Sequence, residues 1–166
     1  MRVAILTVSD SVVAGARLDT SGQAIVDWCT SRHYAVAEHK SVADDTSLIV
    51  PQLVEWCDFG DVDLVLTTGG TGLAPRDVTP EATSSVIERE AQGIAEYLRA
   101  SSYGKFPRAA LSRGLAGVRG LTLVINLPGS PSGVADALET LSAIVDHAVD
   151  VTKGMVREHD TPLGKS

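Results

Sequence analysis

Four apolar runs rich in β-branched residues alternate with helical segments, and this pattern constrains the fold more than any other feature of the chain. Three of the runs are nearly continuous rather than alternating, which is typical of strands that helices bury on both faces. Alternation of strand and helix predicts a mostly parallel sheet with right-handed crossovers, and hence an α/β fold. The four predicted strands are residues 3–8, a weaker one at 34–42, 62–67 and 121–126.

The segments between the runs have the apolar spacing of helices. Gly93 predicts a break inside the third helix, and Pro51 leaves two starts open for the second, near Thr46 with a kink or at the proline itself. The four predicted helices are residues 21–33, 46–59, 79–99 and 131–154.

Two Ser/Thr-Pro pairs predict helix starts. Thr79 precedes Pro80 and Ser130 precedes Pro131, which places a capping hydroxyl just before a proline at the first helical position. Residues 108–120, with their glycines and alternating apolar positions, predict an irregular hairpin appended to the sheet.

Length and composition indicate one globular domain, which we place at residues 1–157, followed by a polar tail at 158–166. The net charge of -7 argues against nucleic acid as a partner, since duplex binding needs clustered cations. No apolar run reaches the ~18 residues of a membrane span, and the first residues read as a strand rather than a signal peptide. We therefore expect a cytoplasmic protein that contacts no membrane.

A glycine-rich loop follows the third predicted strand. In open α/β sheets, ligands bind outside the carboxyl ends of the strands. Three glycines within the loop 68–72 would let the backbone approach a ligand and present N–H groups to an anion. The P-loop pattern is absent from the chain. The alternative is a glycine-rich turn without a ligand.

Carboxylates also follow the strands. Asp10 follows the first predicted strand, Asp44 and Asp45 follow the second, and Asp77 follows the third. All are expected at one edge, where they could hold Mg²⁺ beside substrate phosphates. The alternatives are helix capping for Asp44 and Asp45, and either capping or pairing with Arg76 for Asp77. A second cradle for an anion or nucleotide is expected at residues 126–133, where a strand ends and a helix begins, although a simple turn is the alternative.

Several segments together resemble one family. The loop 68–72, followed by residues 76–83 (Arg-Asp-Val-Thr-Pro-Glu-Ala-Thr), is similar to the signature of the MogA/MoaB molybdenum cofactor biosynthesis proteins, which include molybdopterin adenylyltransferases and the G domains of gephyrin and plant Cnx. The matching segments occur in the same order as in the family and extend over nearly the whole chain. Further matching stretches are residues 3–10, 19–22, 111–113 and 125–129.

This resemblance implies a three-layer α/β/α domain that commonly forms trimers. It implies transfer of AMP from Mg²⁺-bound ATP, the co-substrate, to the terminal phosphate of molybdopterin, with release of pyrophosphate and handover of the product to a separate molybdate-inserting enzyme. It assigns catalysis and the metal to Asp77 and Asp44, with Asp45 as the alternative to Asp44. The substrate- and nucleotide-binding residues expected from these matches and from the loops are Ser9, Asp10, Asp19, Thr68, Gly69, Gly70, Thr71, Gly72, Ser112, Asn126, Pro128, Gly129 and Ser130.

Other functions remain open at this point. A silent relative would bind molybdopterin or nucleotide without adenylyl transfer, and an assembly module would act through protein contacts, as a gephyrin domain does in part. A hydrolase of the competence-damage-inducible type is a more remote alternative. The sequence also leaves open which cradle takes the pterin and which takes adenine.

Overall fold

A computed structural model describes residues 1–155, in which one six-stranded sheet has the strand order β2-β1-β3-β6-β5-β4. Strands β1, β2, β3 and β6 run parallel, while β5 is antiparallel to β6 and β4 to β5. The prediction of an α/β fold with a mostly parallel sheet is therefore confirmed. The strands are β1 Arg2–Val8, β2 Ala35–Val42, β3 Leu64–Thr68, β4 Arg89–Glu90, β5 Ala116–Arg119 and β6 Thr122–Leu127.

Helices cover both faces of this sheet. They are α1 Asp10–Val13, α2 Thr20–Ser31, α3 Thr46–Phe59, α4 Thr79–Val86, α5 Gln92–Ser102, α6 Pro131–Leu141 and α7 Val145–Thr152, with a 3₁₀ turn at Pro107–Leu111.

The core has two halves because successive side chains of a strand point to opposite faces. In β1, Val3 and Ile5 pack with α2, α5, α6 and α7, whereas Ala4 and Leu6 pack with α3 and α4. All four side chains are fully buried. This explains the continuous apolar runs, since both faces of the central strands are covered, and it confirms the three-layer arrangement.

Two predicted helices are each divided, so their predicted bounds were wrong. The segment 79–99 breaks at Ile87, whose backbone is extended, and the chain forms β4 against β5 before α5 begins. Gly93 is not the break but lies inside α5. The competing force is sheet pairing, which local helical spacing cannot reveal.

The second division separates α6 from α7, within the predicted helix 131–154. Ser142 follows α6, donates from its hydroxyl to Leu138 O at 2.7 Å and accepts from the Trp28 indole at 2.9 Å. A serine that bonds back to the preceding turn favours bending or ending a helix. A side chain from α2 thus helps to set where α6 ends.

Other predictions differ less from the structure. Helix α3 begins at Thr46 and continues through Pro51, which settles its start. The segment predicted as a hairpin is half correct, since β5 and β6 form a hairpin but residues 107–111 form the 3₁₀ turn. The predicted tail at 158–166 lies outside the described residues. Within residues 1–155, no helix is long and apolar enough to cross a membrane.

Candidate functional site

The glycine-rich loop leaves β3 and crosses the end of β1. Gly69 and Gly70 have φ of +94° and +62°, which L side chains rarely adopt. A Cβ on Gly69 would overlap Val8 O, and one on Gly70 would overlap Thr79 Oγ1. Glycine is therefore required here both for backbone conformation and for close approach.

Polar residues of neighbouring segments hold this loop. Thr79 donates from Oγ1 to Gly69 O at 2.9 Å and from its N–H to Gly70 O at 3.0 Å. The prediction that Thr79 caps α4 was wrong, because Val78 occupies the cap position and no side chain caps it. Thr68 Oγ1 donates to Pro128 O at 2.6 Å, which ties the loop to the turn after β6.

Asp44 and Asp45 have different surroundings. Asp45 is exposed and caps α3, accepting from Ser47 N–H at 2.8 Å. Asp44 is half-buried and faces the loop, with its Oδ1 3.1 Å from where a Cβ on Gly70 would lie. Its Oδ2 accepts from Asp10 N–H at 2.8 Å. The structure thus gives the capping role to Asp45 and places Asp44 at the candidate site.

Asp77 lies on the other side of the loop. Its Oδ2 accepts from Ala74 N–H at 2.8 Å and lies 2.8 Å from where a Cβ on Gly72 would be. Neither alternative role expected for Asp77 is found, since it does not cap α4 and Arg76 pairs with Asp10 instead. Among the described residues, no hydrogen-bond donor engages Asp77 Oδ1.

Arg113 fastens the loop to the Asp77 segment, a role that the sequence analysis missed. Its Nε donates to Gly72 O at 2.7 Å and its NH2 group to Asp77 O at 2.6 Å. It also pairs with Glu81, and this guanidinium lowers the pKa of the Glu81 carboxyl. Arg113 lies in the stretch 111–113 that resembles the family, but the sequence predicted only Ser112 of that stretch as a site residue.

The turn after β6 starts a helix, as expected. Ser130 caps α6, accepting at Oγ from Gly133 N–H at 3.2 Å, so its own O–H is available to donate. Asn126 is buried and uses its amide to fix neighbouring segments, accepting from Leu115 N–H and donating to the hydroxyls of Thr67 and Thr83.

Two cavities open at this edge of the sheet. One has a volume of about 400 Å³ and extends under α5, the 3₁₀ turn and α6. The other, of about 360 Å³, lies over the ends of β1 and β3. They share a wall, which we call the junction, formed by Gly70, Asp77, Gly129 and Ser130.

Most sequence-predicted site residues line these cavities. The second cavity also contains Ser9, Asp44, Thr68 and Gly69, and the first contains Thr71, Gly72, Ser112, Asn126 and Pro128. The strand-end rule therefore locates the cavities correctly, because four parallel strands end at this edge.

Asp10 and Asp19 line neither of these two cavities. Asp19 caps α2, accepting from Gly22 N–H at 2.8 Å, and its Oδ2 accepts from Thr7 Oγ1 at 2.7 Å and lies 2.9 Å from His39 Nε2. Asp19 therefore has a structural role as the cap of α2, and its expected binding role stays a prediction. Asp10 binds Arg76, whose guanidinium lowers the pKa of the Asp10 carboxyl.

Cationic side chains at the cavities were also missed by the sequence analysis. Arg17 lines the second cavity, while Arg99, Lys105 and Arg108 line the first beside the apolar Phe106. These residues come from loops and helices far apart in sequence, so no local pattern marked them.

The carboxylates of the second cavity, Asp44 and Asp77, suit a cation that substrate helps to hold. Among residues 1–155, no group of three or more His, Cys, Asp or Glu side chains could hold a metal ion. Asp44 and Asp77 line the same cavity, and no donor in the described part of the chain engages either Oδ1. Mg²⁺ is commonly held by one or two carboxylates plus substrate phosphates, so this donor set fits it.

Comparison with known proteins gives a consistent picture. A family model described as "Probable molybdopterin binding domain" matches residues 4–147. The molybdopterin adenylyltransferase of Helicobacter pylori is 38% identical over 156 residues, 93% of this chain and 89% of that protein. Molybdenum cofactor synthesis protein cinnamon of Drosophila melanogaster is 41% identical over 87% of this chain, which spans only 24% of that protein.

A solved structure agrees with the sequence relatives. The crystal structure of the molybdopterin biosynthesis enzyme MoaB from Thermus thermophilus has a TM-score of 0.87 and 48% identity, covering 92% of this chain and 96% of that one. Fold, site and sequence comparison therefore agree, and the chain belongs to the molybdopterin-binding domain family of molybdenum cofactor biosynthesis proteins.

Proposed function

We propose that this protein is a molybdopterin adenylyltransferase that uses Mg²⁺ and ATP. The observation that supports the proposal best is the junction, because two cavities of similar size meet there. Two substrates that each occupy one cavity could bring their phosphates together at Asp77. Relatives named molybdopterin adenylyltransferase that match most of the chain add support.

The reaction joins two anions. An oxygen of the terminal phosphate of molybdopterin attacks the α-phosphorus of ATP, a new P–O bond forms, and the bond to the β-phosphate breaks to release pyrophosphate. The attacking phosphate is already ionised, so no general base is required. Catalysis must therefore come from positioning and from neutralising charge as it moves to the leaving group.

The residues around the junction can supply these effects. Asp44 and Asp77 would hold Mg²⁺, which when bound neutralises phosphate charge. The N-terminus of α6, an 11-residue helix, carries positive partial charge beside Gly129 and Ser130, and the Ser130 hydroxyl can donate to a phosphate oxygen. The loop 68–72 borders both cavities and can approach ligands closely because its glycines lack side chains.

This arrangement also explains how an acidic chain can bind anionic substrates. The net charge of -7 disfavours them globally, but the cavities are lined by Arg17, Arg99, Lys105 and Arg108. Local cations and the helix N-terminus act within the Debye length of ~8 Å at physiological salt, where more distant surface charges are largely screened.

Direct assay tests the proposal. The purified protein is incubated with molybdopterin, ATP and Mg²⁺, and adenylylated molybdopterin and pyrophosphate are measured. Asp77→Asn should abolish product formation with little change in Tm, because Asp77 contributes no helix cap. Bound pterin without product in the wild type would favour the silent-binder alternative and refute the proposed activity.

The remaining family features belong to the same proposal. We infer a homotrimer that works in the cytoplasm and passes its product to a separate molybdate-inserting enzyme. Light scattering should give three times the mass of the 17.4 kDa chain. A monomer at micromolar concentration would contradict the trimer without touching the adenylyl-transfer reaction.

A further inference from the structure

Asp10 is strongly bonded although it lines neither cavity. Arg76 donates to its carboxylate from Nε at 3.1 Å and from its NH2 group at 2.8 and 2.7 Å. The fork of a guanidinium matches a carboxylate in this bidentate geometry and limits its rotation. These bonds therefore favour one orientation of the Asp10 carboxylate at the start of α1.

Asp10 and Asp44 bond to each other reciprocally. Asp44 N–H donates to Asp10 Oδ1 at 3.0 Å, and Asp10 N–H donates to Asp44 Oδ2 at 2.8 Å. This closed pair joins the first residue of α1 to the loop after β2. It occupies Oδ2 of Asp44 and leaves Oδ1 directed at Gly70, on the wall of the second cavity.

We propose that Asp10 and Arg76 are positioning residues, which orient the Asp44 carboxylate toward the junction through this reciprocal pair. The inference rests on the proposed function, since it treats Asp44 as a group that acts on Mg²⁺ and phosphate. The ligand-binding role that the sequence suggested for Asp10 stays a separate prediction. Arg76 lies in the segment between β3 and α4, which continues the glycine-rich loop. Through Asp10, it connects this segment to the Asp44 carboxylate.

The effect of breaking the pair should be specific. Partners that orient a metal-binding carboxylate typically affect metal affinity or activity by ~10- to 100-fold when removed. Arg76→Ala and Asp10→Ala should therefore raise the Mg²⁺ concentration for half-maximal adenylyl transfer by about tenfold or more. Arg76→Lys keeps the charge but loses the fork, so it should lie between wild type and Arg76→Ala.

The chain offers a matched control in another bidentate pair. Arg119 donates to both Asp58 oxygens at 2.8 Å, and it lies at the β5–β6 turn, at the opposite edge of the sheet from the junction. Asp58→Asn removes a similar ion pair without touching Asp44. It should leave the Mg²⁺ dependence unchanged.

Amide hydrogen exchange tests the pair without any assay of activity. The Asp10 and Asp44 amides should be protected in the wild type and exchange faster in Arg76→Ala, with global protection and Tm retained. If wild-type protein makes no product, the proposed function fails, while exchange still tests the pair. Unchanged exchange and unchanged Mg²⁺ dependence in both Arg76→Ala and Asp10→Ala would overturn the inference. So would a higher KM for molybdopterin or ATP in Arg76→Ala alone, since that outcome assigns Arg76 to substrate contact.

Discussion

The neighbouring acids Asp44 and Asp45 allow one sharp separation of function from stability. Asp45 caps the 14-residue helix α3 through Ser47 N–H, whereas Asp44 faces the junction. Loss of a typical N-cap lowers the Tm of a chain of this size by ~2–4 °C. Asp45→Ala should show this decrease with activity retained, and Asp45→Asn should show little change because Asn also caps helices.

Asp44→Asn should give the opposite result. The amide oxygen can still accept from Asp10 N–H, so Tm should stay near that of wild type. Under the proposed function Asp44 acts beside the reacting phosphates, and loss of one preorganised electrostatic group at a reacting centre typically lowers kcat by ~10²–10³-fold. Thermal denaturation and the adenylyl-transfer assay on the four variants, including Asp44→Ala, would measure both effects.

The pH dependence adds a check on Asp45. Its hydrogen bonds to Ser47 lower the pKa of the Asp45 carboxyl from 3.8. The capping contribution of the charged form is therefore fully present above that value and is lost as pH falls through the lower folded-state pKa. The Tm difference between wild type and Asp45→Ala should shrink below about pH 4. A loss of activity in Asp45→Ala equal to that in Asp44→Asn would refute the separation of roles.

Three further experiments test other parts of the structure. Arg113→Lys should lower kcat by ~10-fold or more with a small change in Tm, because lysine cannot bind two loop carbonyls in a fork; unchanged kcat would show that the clamp does not matter. Gly70→Ala should destabilise the fold by ~1–2 kcal/mol because of the positive φ at this position, and it should also lower activity. Gly93→Ala, which would place a methyl group in open space within α5, should stabilise the fold by ~0.5–1 kcal/mol. Equal effects of the two substitutions on stability would contradict the constraint on the loop. Burial raises the pKa of the Cys29 thiol to about 11 and that of the Cys57 thiol to about 12. Iodoacetamide at pH 8 should therefore modify neither cysteine in the folded protein and both in guanidinium. Rapid labelling of the folded chain, counted by mass spectrometry, would contradict this.

Local sequence patterns predicted the layers of the fold because a strand that is buried on both faces has a nearly continuous apolar sequence. The apolar runs in β1, β3 and β6 could only be explained by helices above and below the sheet. The same patterns failed at the divisions after α4 and α6. After α4 the helix ends because the chain pairs β4 with β5. After α6, Ser142 accepts a hydrogen bond from Trp28 of α2. Neither β5 nor Trp28 is near the corresponding helix end in sequence.

The candidate site shows the same division at the level of single residues. Strand order and residue type placed the glycine loop, Asp44, Asp77 and the turn after β6 at one edge, since parallel strands end together. Residue type and position in the sequence could not predict which of the acids at that edge cap helices, which pair with an arginine and which line a cavity. Asp10, Asp19 and Asp45 have the same carboxylate, but one pairs with Arg76 and the others cap helices.

The sequence alone thus determined the sheet, its covered faces and the edge at which the two cavities open, because these depend on periodicity and on glycine's freedom at positive φ. The tertiary structure decided which carboxylates remain open to a ligand, which arginines hold the loops, and that two cavities share the wall at Asp77. Those features depend on hydrogen bonds between residues 30 to 70 positions apart, such as Asp10 with Asp44 and Arg76. Only the folded chain brings such partners within bonding distance.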